Sequence, residues 1–110
     1  MTEAAASPKL IHNVYFTLKD DSPANRKKLV DSCRHWLSRI PGISFFSAAT
    51  LVADLTRPVN DLAFHVGLHV VFASREAHDA YQVDERHQNF IAENKASWEK
   101  VRVFDSYDVA

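Results

Sequence analysis

Two segments of this chain alternate so regularly that only a β-sheet with both faces in use can hold them. Over residues 9–19, Leu10, His12, Val14, Phe16 and Leu18 fall on one side, and Ile11, Asn13, Tyr15 and Thr17 on the other. Over residues 62–73, Phe64, Val66, Leu68, Val70 and Phe72 form a wholly apolar side, while Ala63, His65, Gly67, His69 and Val71 form a mixed one. The two apolar sides must meet a covering layer of helices.

The remaining segments supply that layer. Ser22 can cap a helix whose first position suits Pro23, since the proline's missing N–H has no partner there. Leu29, Val30, Cys33, Trp36, Leu37 and Ile40 then recur at three- and four-residue steps, predicting a helix over 23–39 that Pro41-Gly42 ends. Residues 43–53 read as a strand and 54–61, with Pro58 and Asn60, as a loop. Ser74 caps a short helix running to Gln82, Asp84 caps another running to about Ser97, and residues 101–107 form a last strand. The order is β-α-β-β-α-(α)-β, the ferredoxin-like α+β arrangement with a four-stranded antiparallel sheet. At 110 residues it makes one domain, expected over 9–110 behind a flexible N-terminus at 1–8.

Helices cover one sheet face, yet the other still carries Ile11, Tyr15 and Val71. A homodimer with the two sheets face to face is the expected solution. A net charge of -1 with no basic block argues against nucleic acid as a partner. No apolar run is long enough to span a membrane, and Met1 to Ser7 has no secretory-signal pattern. Cys33, the single cysteine, lies in the helix stripe and is expected to be a buried structural thiol in a reducing cytoplasm.

Three residues could carry chemistry. His87 precedes Phe90 and Ile91 by three and four positions, and Tyr81 follows Ala77 by four, so both share inward helix faces. His12 sits among the apolar residues of the first strand. The three are expected to converge between helices and sheet, with Val14, Phe16, Val66, Leu68 and Phe90 lining the space around any ligand. Proton-transfer catalysis, binding of a small hydrophobic or aromatic ligand, and a purely structural hydrogen-bond network all fit these residues.

His65 and His69 form H-x-x-x-H, but on a strand their rings start about 13 Å apart, so no metal is expected there. His35 and His78, with charged and polar neighbours, are read as solvent-facing, Trp36 and Trp98 as packing residues, and Asp105 as having no visible partner. There is no phosphate loop, nucleophile elbow or CxxC pair, and no cofactor is expected.

From Leu10 to Tyr107 the chain resembles the stress-responsive α/β-barrel (Dabb) family. The resemblance rests on Ile11-His12-Asn13-Val14-Tyr15-Phe16, and on Val70-Val71-Phe72-Ala73-Ser74 leading to Ala80-Tyr81 with His87 six residues on. It rests also on Trp98 followed by Val101-Arg102-Val103-Phe104-Asp105. It implies ferredoxin-like protomers paired into a dimeric barrel, most of them without an assigned activity. More distantly, the chain is similar to the family's olivetolic acid cyclase branch, a cofactor-free cyclase of a linear polyketide. That similarity implies His87 as base, Tyr81 as hydrogen-bond donor to an enolate oxygen and His12 in a lining or orienting role. Val66 stands where that branch has a further strand histidine, and Asp84-Glu85 where the family often has His-Pro. A cofactor-independent oxygenase is a third expectation, by fold analogy alone.

Overall fold

A computed structural model describes residues 7–109, so most of the N-terminal segment expected to be flexible, residues 1–6, lies outside the described residues. The elements are β1 (Leu10–Leu18), α1 (Pro23–Leu37), β2 (Ile43–Thr50), β3 (Val66–Phe72), α2 (Arg75–Val83), α3 (Glu85–Asn94), a single 3-10 turn (Lys95–Ser97) and β4 (Trp98–Tyr107). The four strands form one sheet in the order β2-β3-β1-β4, and every neighbouring pair is antiparallel. This is the ferredoxin-like arrangement expected from the sequence.

The helix starts form as their capping residues dictate. Ser22 Oγ accepts the Asn25 N–H at 3.1 Å, Ser74 Oγ accepts that of Ala77 at 3.1 Å, and an Asp84 carboxylate oxygen accepts that of Arg86 at 2.8 Å. Each bond satisfies a backbone donor that the first helical turn cannot. The Asp84 side chain also pairs with the Arg86 guanidinium, which holds its carboxyl down at about 2. Gly42, at φ 91°, makes the turn out of α1 that a residue with a Cβ would resist. Its carbonyl accepts the Ala73 N–H at 2.8 Å, tying that turn to the entrance of α2.

The core lies between the helices and one sheet face. β1 alternates buried and half-buried along its whole length. Leu10, Val14, Phe16 and Leu18 pack with Val66, Leu68, Val70 and Phe72 of β3 and with Leu29, Cys33, Leu37, Tyr81 and Phe90 of the helices. Each such large side chain contributes about 1.5–3 kcal/mol by leaving water. α3 is fixed against α1 by a polar clasp. Buried Asn94 donates to Ser32 Oγ at 2.7 Å and to the Phe90 carbonyl at 2.9 Å, and Ser32 donates to Glu93 at 2.5 Å.

The strands and helices differ from the sequence reading mainly at their ends. α1 stops at Leu37, β2 at Thr50 and α3 at Asn94, while β4 starts three residues early, at Trp98. The larger difference is at β3, which begins at Val66 rather than at residue 62. Phe64 is therefore off the helix-facing side: its ring meets Tyr15 edge-on at 4.8 Å on the open face. His65 likewise leaves the open face. Its Nδ1 accepts the Leu18 N–H at 2.9 Å and its Nε2 lies 3.1 Å from Asp21, so the ring latches the long β2–β3 loop to the β1–α1 connection. The open face keeps Ile11, Tyr15, His69 and Val71 half-buried, and it leaves Phe45 56% and Phe104 53% exposed.

Candidate functional site

A cavity of about 210 Å³ opens between the helix-facing side of the sheet and helices α2 and α3. Val14, Phe16, Leu68 and Phe90 give it an apolar wall, and His12, Tyr81 and His87 give it its titratable groups. Four of the five expected wall residues are thus present; Val66 is fully buried in the core and does not line the cavity.

Each polar group is placed by a different element. His12 comes from the inward side of β1 and is 5% exposed. Its register partner on β4 is Asp105, and His12 Nδ1 lies 2.5 Å from Asp105 Oδ1. With the carboxylate accepting from Nδ1, the ring is held in one orientation and Nε2 is its remaining nitrogen. Tyr81, fully buried at the end of α2, has its ring 6.1 Å from that of His12 and 4.8 Å from that of His87. Burial pushes its phenol well above the usual tyrosine range, so the hydroxyl remains a donor at all ordinary pH.

His87, near the start of α3, is pushed the other way. Burial lowers its pKa and outweighs the opposing pull of the Gln82 backbone, so it is a neutral base near pH 7. Its Nδ1 is buried and has no hydrogen-bond partner among the described residues, and the same holds for Trp98 Nε1 on the cavity wall. Buried polar atoms are nearly always paired. Both atoms are sealed from solvent, so they belong to the packed rim of the cavity rather than to its open surface.

Two groups that the sequence reading set aside belong to this neighbourhood. His78, read as solvent-facing, has a side chain only 15% exposed, and its ring lies 5.4 Å from that of His12 and 5.5 Å from that of Phe72. Its signal was present: it precedes Tyr81 by three residues and so shares that helix face. Asp105 gains a partner only through strand register, yet it is two and four residues beyond Val103 and Val101, on their side of β4. Trp98 packs as expected, 4.9 Å from Phe16, and also lines the cavity. His35 is exposed. His69 stays on the open face with its Nδ1 2.8 Å from Asn13 Oδ1, so His65 and His69 serve separate partners.

A larger and more open hollow, about 390 Å³, lies on the opposite sheet face beside Tyr15, Phe64 and Phe104. Its charged groups, Arg102 and Asp61, bind each other at 2.9 Å, which draws the Asp61 carboxyl below the usual range. The smaller cavity is the better site because His12, Tyr81 and His87 share a mostly apolar wall there, with no arginine–carboxylate pair filling it.

The sequence pattern of the family described as Stress responsive A/B Barrel Domain (Dabb) matches residues 10–108. No curated protein matches the chain in sequence. Among solved structures, a Dabb family protein with a ferredoxin-like fold from Mesorhizobium loti superposes with a TM-score of 0.77 at 24% identity, over 94% of this chain and 100% of that one. A dimeric ferredoxin-like protein of unknown function from Thermobifida fusca gives 0.77 at 10% identity, over 97% of each chain. A hydroxynitrile lyase from Passiflora edulis gives 0.74 at 16% identity, over 93% of this chain and 94% of that one. These likenesses establish a shared fold.

Proposed function

The chain belongs to the stress responsive A/B barrel domain family, and from that premise we propose that it binds one small hydrophobic or aromatic molecule between its helices and sheet. The observation that carries the reading is the apolar cavity of about 210 Å³ into which His12, Tyr81 and His87 converge. A cavity of about 150 Å³ can hold benzene, so this one has room for one substituted ring. The polar side chains of His12, Tyr81 and His87 in an otherwise apolar wall favour a ligand that carries a hydroxyl or carbonyl group. Calorimetric titration with substituted phenols and aryl ketones tests the proposal. Saturable binding that Val103→Trp, a change on the cavity wall, removes supports it, and no binding by any of them counts against it.

A second reading is favoured by the opposed shifts of His87 and Tyr81. A neutral imidazole beside a phenol that stays protonated is the pairing needed to take a proton from carbon and stabilise the resulting enolate. On this reading the protein is a cofactor-free, polyketide-cyclase-like enzyme. His87 accepts the proton from a carbon next to a carbonyl, Tyr81 donates a hydrogen bond to the carbonyl oxygen as it gains charge, and His12, held by Asp105, orients the substrate. His87→Ala is then expected to abolish turnover with the fold intact, and Tyr81→Phe to slow it about 10- to 1000-fold. If the groups are only structural, His87→Ala instead changes stability and nothing else.

The working unit is proposed to be a homodimer joined through the open sheet face, in line with the solved relative described as dimeric. The fully buried, unpaired Cys33 suits a reducing compartment such as the cytoplasm.

A further inference from the structure

Behind the cavity, His12, His78 and Asp105 form a second arrangement that ligand binding does not call for. Each offers one donor atom, and the three atoms lie within 4.8 Å of one another. They come from β1, α2 and β4, so the fold, not a local sequence motif, assembles them. We propose that these three residues bind one divalent transition-metal ion of the zinc type, through two imidazoles and one carboxylate.

The donor set is the first support. Two histidines and a carboxylate suit zinc and its neighbours, and three protein ligands leave a fourth position open. The second support is access. His12 is buried, His78 is half-buried and Asp105 is exposed. His78 and Asp105 also line a separate hollow of about 250 Å³. An ion can enter from there and stand in the wall between that hollow and the cavity that His12 lines.

The third support is an outer partner already in place. His78 Nδ1 lies 2.9 Å from Asp79 Oδ1. A carboxylate on one imidazole nitrogen fixes the tautomer, and the other, Nε2, has a 3.4 Å contact with Gln82 Nε2 that an ion would replace. The cation nearest this hollow, Arg75, is itself held by Asp79 at 3.0 Å and by the Tyr107 hydroxyl at 3.4 Å.

The site must adjust to close. Donors around a tetrahedral zinc are about 3.3 Å apart, from bonds of ~2.0–2.1 Å. The His12–Asp105 contact of 2.5 Å must open slightly, and the loosest pair, up to 4.8 Å apart, must close. Asp105 has the freedom for this, since its side chain is 44% exposed. With the ion on His12 Nδ1, the ring's hydrogen sits on Nε2.

The untagged full chain, titrated with Zn²⁺ and with Co²⁺ as a spectroscopic probe, tests the proposal. The expected result is one ion per chain, with the visible absorption of a low-coordinate Co²⁺. Asp105→Asn and His78→Ala should each weaken binding by about 100-fold, and His35→Ala, at an exposed site, should leave it unchanged. No saturable binding, or equal binding after His78→Ala, overturns the proposal. If either variant fails to fold, paramagnetic broadening in the wild-type chain decides. Co²⁺ should broaden the His12 and His78 ring signals first; broadening centred on any other histidine contradicts the site.

Discussion

His12 and Asp105 stand opposite each other across the β1–β4 ladder and are joined at 2.5 Å, although 93 residues separate them in sequence. The bond ties the last strand to the first and sets which nitrogen of His12 carries the hydrogen. Asp105→Asn keeps the shape but removes the charge. Since Asp105 is partly exposed, solvent screening reduces the loss, and we expect about 1 kcal/mol in a urea unfolding experiment. An unchanged midpoint would mean that water serves His12 equally well.

Gly42→Ala should cost more. A Cβ there would lie 2.6 Å from the Ala77 Cβ, and the position has φ +91°. Strain and crowding together are expected to lower stability by about 1–3 kcal/mol. Adding Ala77→Gly should restore part of the loss by removing the clash while leaving the backbone strain. No recovery in the double variant would place the whole cost in the backbone.

Stability should fall as the solution is acidified below the ordinary histidine range. Burial lowers the pKa of both His87 and His69, so the unfolded chain takes up protons first. Their contribution is fully present above about pH 6.5 and is lost as pH falls through their depressed folded values. Asp21, held low chiefly by its hydrogen bond to Arg26, and Asp61, held low chiefly by Arg102, act in a separate window below about pH 4. Urea midpoints measured from about pH 8 to 5 should decline in the wild type and decline less in a His69→Gln/His87→Gln double variant. A midpoint that rises on acidification would contradict the burial of these rings.

The open sheet face predicts the assembly. Phe45 and Phe104 remain more than half exposed, beside half-buried Ile11, Tyr15 and Val71. Sedimentation at micromolar concentration should report twice the chain mass, and Tyr15→Asp should shift it toward one. A monomeric wild type would refute the paired-sheet assembly.

The sequence made some of this plain and hid the rest, for physical reasons. The alternation of β1 and the caps at Ser22, Ser74 and Asp84 are local, so they could be read directly. The convergence of His12, Tyr81 and His87 followed from faces, because strand and helix periods place them reliably. The start of β3 was not legible: residues 62–65 keep the alternation of a strand, but the His65 ring is held by the Leu18 N–H at the end of β1 and by Asp21 in the β1–α1 connection. Asp105 was opaque because its partner depends on the β1–β4 register. His78 was misjudged because its polar neighbours outweighed its spacing from Tyr81.

The central claim is that the helix–sheet cavity takes a small aromatic ligand, and histidine-ring NMR during titration with a substituted phenol tests it most directly. The account predicts saturable shifts at His12 and His87, at the cavity wall, with His35 and His69 unmoved. Shifts centred on His69 and the open sheet face, or none at saturating phenol, would contradict it.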